Sequence, residues 1–164
     1  MQAAEGARVA VRVHISSGLG TGPTELAAFN AALLRAGIGT FNLLPLTSVI
    51  PANTEVVRGH VAEDGQWGDR LYVVIAERRE SRPGLEAWAG LGWVQDADGR
   101  GLFVEHCADS RRGVERLIEE SLTAMVKAQA RAFGVIQSEV VGIECEAEPV
   151  CALVAARYKV EGWD

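Results

Sequence analysis

Near the start of the chain Val9, Val11, Val13 and Ile15 alternate with polar or small residues, the period-two pattern of a half-buried strand over 8–15. Ser16-Ser17-Gly18-Leu19-Gly20-Thr21-Gly22-Pro23-Thr24 then reads as a turn-rich loop. A helix is predicted over 23–36, opened by Pro23 or Thr24, striped by Leu26, Phe29 and Leu33, and closed by Gly37. Residues 39–51 are an apolar run broken at Pro45 and stopped at Pro51, read as a buried strand. Further strands are predicted at 54–61, 70–77, 87–95 and 101–107, the last two joined by a hairpin turn at Asp96-Ala97-Asp98-Gly99. The longest predicted helix covers 110–133, with Val114, Leu117, Ile118, Leu122, Met125, Val126 and Phe133 on its apolar side. Asp109 or Ser110 caps it and Gly134 ends it. Closing strands at 138–145 and 150–160 straddle Glu148-Pro149.

These strands and two helices, with most strands joined by short turns, predict a largely antiparallel α+β arrangement. Covering that much apolar strand is simplest with one helix on each outer face and the sheets between. No repeat, low-complexity tract or linker divides residues 1–164, so one domain is expected.

Composition narrows the function classes. Hydrophobic residues are 48% and charged residues 23%, the balance of an ordinary globular chain. Sixteen Lys and Arg against 22 Asp and Glu give a net charge of −6, which opposes generic binding to nucleic acid or an anionic membrane. No apolar run approaches the ~20 residues of a membrane span, and Met1–Gly6 lacks the basic-then-apolar order of a secretory signal, so a cytoplasmic location is expected. Cys107, Cys145 and Cys151 match no metal spacing and read as buried reduced thiols. His106 and Cys107 are strand neighbours that point to opposite faces, so no metal is expected.

Two motifs invite chemistry. Gly18, Gly20 and Gly22 between a strand and a helix suggest a phosphate cradle. Pro23-Thr24-Glu25 stands where a P-loop needs Gly-Lys-Ser/Thr, however, and no acidic residue follows at dinucleotide spacing. Close backbone packing is the better reading. Thr47-Ser48 lies in an apolar stretch between two prolines, without a Gly-x-Ser-x-Gly elbow.

In order and spacing, two segments together resemble the pyruvoyl-dependent arginine decarboxylases. The first is Gly18-x-Gly20-Thr21-Gly22-x-Thr24-x-Leu26-x-x-Phe29-Asn30-x-Ala32-Leu33-Leu34-x-Ala36-Gly37-Ile38-Gly39; the second is Asn42-Leu43-Leu44-Pro45-Leu46-Thr47-Ser48-Val49-Ile50-Pro51. A looser match runs through Gly90-Leu91-Gly92 and Gly101-Leu102-Phe103-Val104-Glu105. The resemblance implies a four-layer α/β/β/α sandwich assembled as a homotrimer or a dimer of trimers. It also implies a proenzyme that cleaves its own backbone between Thr47 and Ser48, giving a β chain of 1–47 and an α chain of 48–164. Ser48 becomes a covalent pyruvoyl group, the only cofactor expected, which holds a substrate amine as a Schiff base while L-arginine loses CO₂ to become agmatine. By the same resemblance Glu105 is the proton donor. Its strand face, shared with Phe103 and Cys107, predicts an apolar setting that favours the protonated form.

Asn42 matches a residue tied to self-processing, in which an amide N–H would meet the oxyanion on Thr47. Six residues of straight strand span about 20 Å, so either the chain bends at Pro45 or Asn42 serves a neighbouring subunit. Leu26, Asn30, Gly39 and Phe41 match substrate-binding positions. Asn30 stands where many relatives carry an aspartate for the guanidinium, and relatives usually have Ser at the position of Thr47. These two departures leave open a homologue with another amino-acid substrate, or one that stays uncleaved as a binding or structural protein.

Overall fold

In the segment Val150–Ala156 every side chain is apolar and buried, as a strand covered on both faces requires. It belongs to the strand around which the molecule is built. The computed structural model describes residues 11–59, 61 and 64–164. In chain order the elements are Val11–Thr21 (β1), Glu25–Arg35 (α1), Asn42–Pro45 (β2), Val49–Ile50 (β3), Thr54–Arg58 (β4), Arg70–Glu80 (β5), Glu86–Gln95 (β6), Gly101–Ala108 (β7), Arg111–Lys127 (α2), Gln137–Glu144 (β8) and Val150–Glu161 (β9). They form a five-stranded sheet, ordered β2-β5-β9-β1-β4, and a four-stranded sheet, ordered β3-β7-β6-β8. The β1–β4 and β2–β5 pairs run parallel and the other pairs antiparallel.

Three apolar layers hold four structural ones. Ala152, Val154 and Ala156 of β9 face Leu91, Trp93 and Phe103 of the other sheet, forming the central core. Cys151, Leu153 and Ala155, on the opposite face of β9, pack with Ala28, Ala32 and Ala36 of the α1 segment. On the far side Val114, Ile118 and Leu122 of α2 cover Val94 and Val104. This is the expected α/β/β/α order.

The glycine segment is not a loop. β1 runs on through Thr21, and the alternating Gly18 and Gly20 are pressed against α1: a Cβ on Gly18 would lie 2.0 Å from the Ala32 carbonyl oxygen. Glycine repeating by two on the strand meets alanine repeating by four on the helix, so the backbones approach without side chains between them. Thr24 caps α1 by accepting the Ala27 N–H.

Residues 8–10 of the first predicted strand lie outside the described residues. Two further boundaries differ from expectation. The predicted strand at 39–51 is two short strands in different sheets: after Pro45, which has no N–H to donate, the chain crosses through 46–48 to join β7. Lastly, α2 ends at Lys127 rather than near 133. The segment beyond is pinned to the β6–β7 turn instead, by the Arg131–Asp96 ion pair at 2.6 Å and the Gly134 N–H on the Gln95 carbonyl at 2.9 Å. Phe133 still joins the apolar layer under α2, which is why its position mimics helical spacing.

Candidate active site

β3 contributes only the register pairs Val49↔Leu102 and Ile50↔Gly101, so β7 beyond its first residues is a sheet edge. Phe103, Glu105 and Cys107 share the inner face there, as their spacing by two requires. Phe103 is wholly buried in the central core, whereas Glu105 and Cys107 reach its open rim. Cys107 is thus an exposed thiol, while Cys145 and Cys151 are buried as expected; all three are free. The edge strand stops short of covering them.

The crossing segment lies against this rim. Ser48 Oγ donates to Glu105 Oε2 at 2.9 Å. The Ser48 carbonyl accepts the Phe103 N–H at 2.7 Å, and the Val49 N–H donates to the Thr47 carbonyl at 3.0 Å. From the other sheet, the Tyr158 hydroxyl donates to the Val49 carbonyl at 3.2 Å. Tyr158 stands edge-on to Phe103, ring centroids 6.3 Å apart, and Phe103 in turn packs on Trp93 at 5.9 Å. Burial pushes the Tyr158 phenol above its ordinary pKa, so it is a neutral donor. Tyr158 follows Ala152, Val154 and Ala156 by period two onto the inner face, but spacing gave no sign that it or the main-chain donors would meet the crossing segment.

The arrangement has the parts of an acyl-shift site: a hydroxyl, a carboxylate to take its proton, and a carbonyl already hydrogen-bonded. Glu105 is exposed within one chain, so the apolar surroundings expected for its carboxyl are not supplied by this chain alone.

Other candidates lie elsewhere. The Asn42 side-chain N–H donates to the Gly68 carbonyl at 2.7 Å, an acceptor it shares with the Trp163 indole at 2.8 Å. Leu26 and Asn30 are exposed, one turn apart on the outer surface of α1, in a different layer from Ser48 and Glu105. Gly39 packs beneath Leu34, and Phe41 carries the Arg157 guanidinium over its ring at 5.1 Å. A groove of about 350 Å³ borders Val49, but the charged side chains lining it, Arg100 and Arg131, offer no carboxylate to a guanidinium. Among the described residues no group of three or more His, Cys, Asp or Glu is placed to hold a metal. None of their helices is long and apolar enough to cross a membrane.

Comparison with known proteins bears on this geometry. At 42% identity over 95 residues, the chain aligns with a pyruvoyl-dependent arginine decarboxylase of Halobacterium salinarum, covering 57% of this chain and 59% of that protein. The alignment thus spans about three-fifths of that relative's length. A protein of Archaeoglobus fulgidus named pyruvoyl-dependent arginine decarboxylase 2 is 33% identical over 133 residues, with 75% and 83% covered. One from Pyrococcus horikoshii is 31% identical over 143 residues, with 84% and 89% covered. The sequence model described as Pyruvoyl-dependent arginine decarboxylase (PvlArgDC) matches residues 12–161, nearly the whole length. With that span matched, the chain belongs to the pyruvoyl-dependent arginine decarboxylase family.

Proposed function

We propose that the chain cleaves its own backbone between Thr47 and Ser48 and that the cleaved protein decarboxylates L-arginine to agmatine and CO₂. The observation that carries this reading is the 2.9 Å hydrogen bond from Ser48 Oγ to Glu105 Oε2, in the one Thr-Ser step that matches the family's cleavage point. Glu105 takes the hydroxyl proton as Ser48 attacks the Thr47 carbonyl, turning amide into ester. β-Elimination then releases residues 1–47 with a Thr47 carboxylate. The dehydroalanine left at 48 takes up water and loses ammonia.

The residues around Ser48 fit the pyruvoyl group this would create, because the carbonyl that becomes its amide oxygen is held by the Phe103 N–H at 2.7 Å. Once formed, the keto carbonyl holds the substrate amine and withdraws the electron pair left as CO₂ departs. Glu105 then supplies a proton to the α-carbon and regains one from solvent.

Arginine as the substrate rests on the family. Asn30 can hydrogen-bond a guanidinium but brings no charge to it, and this favours a second reading in which another amino acid is decarboxylated. Leu26, Asn30, Gly39 and Phe41 match the family's substrate-binding positions in either case; because they lie apart from Ser48 and Glu105 of their own chain, the pocket would be completed between copies in a homotrimer or a dimer of trimers. A soluble cytoplasmic enzyme without a metal completes the proposal.

Intact-mass measurement of the purified protein tests cleavage. Two fragments meeting at 47/48 are expected, and a single chain after Ser48→Ala; an unmodified full-length chain in the parent protein would refute the reading. Release of CO₂ from arginine, compared with lysine and ornithine, separates the two substrates.

A further inference from the structure

The turn that carries the scissile link has a feature no side chain supplies. The Val49 N–H reaches back two residues to the Thr47 carbonyl oxygen at 3.0 Å, closing a three-residue turn centred on Ser48. Asn53 is the non-glycine residue with positive φ among those described, so Ser48 has negative φ and the turn is of the inverse γ kind. Its acceptor is the carbonyl that Ser48 would attack. The amide expected to meet this oxygen from sequence, that of Asn42, is engaged with Gly68 at 2.7 Å.

The turn is also tethered beyond Val49. In β9 the register slips by one: Val73 pairs with Arg157 and Tyr72 with Lys159, leaving Tyr158 without a ladder partner. A bulge of this kind commonly re-aims a side chain. Here the Tyr158 hydroxyl meets the Val49 carbonyl at 3.2 Å while its ring packs on the central core. With the Ser48 carbonyl fixed to Phe103, both peptide planes flanking Val49 are held.

We propose that the main-chain N–H of Val49 is the oxyanion donor for the first step of self-cleavage, and that Tyr158 is the positioning residue that keeps it aimed. This rests on the self-cleavage proposed above. Ser48 Oγ bonds to the Thr47 carbonyl carbon as its proton passes to Glu105. The carbonyl electron pair moves onto oxygen, where the Val49 N–H meets it. On collapse the Thr47–Ser48 C–N bond breaks, and the nitrogen keeps the pair and receives the proton from Glu105. An ester replaces an amide with no atom gained or lost.

The donor is removed by translating the full chain with α-hydroxyisovaleric acid at position 49, which puts an ester oxygen where the N–H stands. A chain given ordinary valine by the same route is the reference. Loss of one oxyanion donor commonly costs about 10²–10³ in rate; a bent γ-turn bond contributes less, so at least a tenfold slower appearance of the 1–47 fragment is expected. The fragment is identified by mass, so that 1–47 is told apart from any 1–48 product of scission at the introduced ester. Less than tenfold slowing of 1–47 release overturns the inference and leaves self-cleavage standing. Failure of the valine reference to cleave refutes self-cleavage itself. Tyr158→Phe keeps the ring and removes the tether, and it decides the matter if the ester chain does not fold by circular dichroism. This variant has an all-amide backbone, so hydroxylamine can be used on it to capture the Thr47–Ser48 ester. At least fivefold slower cleavage that hydroxylamine does not speed supports the proposal, because the barrier then lies before ester formation; a smaller effect, or rescue by hydroxylamine, overturns the role of Tyr158, and the whole proposal where it is the only folded variant.

Discussion

The proposed mechanism would ask Glu105 for opposite charge states at two moments: ionised while it accepts the Ser48 hydroxyl, protonated when it delivers a proton to carbon. A carboxyl at the rim of the core, in contact with solvent, can exchange protons between those moments. Glutamine keeps the shape but cannot take a proton. Glu105→Gln is therefore expected to slow cleavage by about 10²–10⁴ and to suppress CO₂ release from whatever mature protein forms. Gel time courses and ¹⁴CO₂ capture measure the two separately, and cleavage at the parent rate would confine Glu105 to the second reaction. Of this site, Ser48 and Glu105 were legible in the sequence only through family resemblance, since 57 residues separate them. Tyr158 shares the period-two face of Ala152, Val154 and Ala156, but nothing in the spacing marked it as a partner of Val49, because the contact depends on where the crossing segment lies. The apolar surroundings expected for Glu105 failed for a simple reason: strand alternation gives the face a residue points to, not how far the covering sheet extends.

Among the elements, the β1–α1 contact is set by what is missing. Alanine in place of Gly20 would ordinarily favour a strand by roughly 0.5–1 kcal/mol. Here its Cβ would stand 2.2 Å from the Ala28 carbonyl oxygen and 2.4 Å from the Ala32 nitrogen. Overpacking of that kind costs about 1–3 kcal/mol, so the clash wins. Gly20→Ala is expected to lower the urea midpoint. This strand was read as a loop because glycine is scarce in strands; the readable signal was the paired repeat, Gly18-Gly20-Gly22 against Ala28-Ala32-Ala36. By contrast, the apolar run Leu71–Ile75 of β5 and the hairpin turn at Asp96–Gly99 were plain, since strand composition and turn chemistry are local.

At the end of β5 the Arg82 side chain and the N–H groups of Ser81 and Arg82 hold the Glu80 carboxyl down, from its ordinary 4.5 to about 2. A depressed folded-state pKa stabilises the fold above pH 4.5 and loses that effect as pH falls toward about 2. The stability gap between the parent and Glu80→Gln is expected to be largest near neutral pH and to close in strong acid, as denaturant titrations at several pH values would record.

For the molecule as a whole, exposed apolar side chains sit close to the proposed site residues: Val49 is 62% exposed beside Ser48, and Leu26 67% beside Asn30. The proposed homo-oligomer would cover these surfaces and would bring Asn42 of one copy to the link of another. Co-expression of Ser48→Ala chains with Asn42→Ala chains tests this. Mixed assemblies are expected to yield some 1–47 fragment from the Asn42→Ala chains, which alone should cleave poorly; no recovery on mixing would keep Asn42 within its own subunit.

The position of the proposed break, between the sheets, has a final consequence. The shorter product would keep β1, which lies between β9 and β4 of the longer one, together with α1 and β2, the latter paired with β5. The two polypeptides would be interleaved like fingers rather than stacked like plates. Neither can leave without tearing the main sheet apart, so nicked protein should travel as a single species through any native separation and come apart only in denaturant.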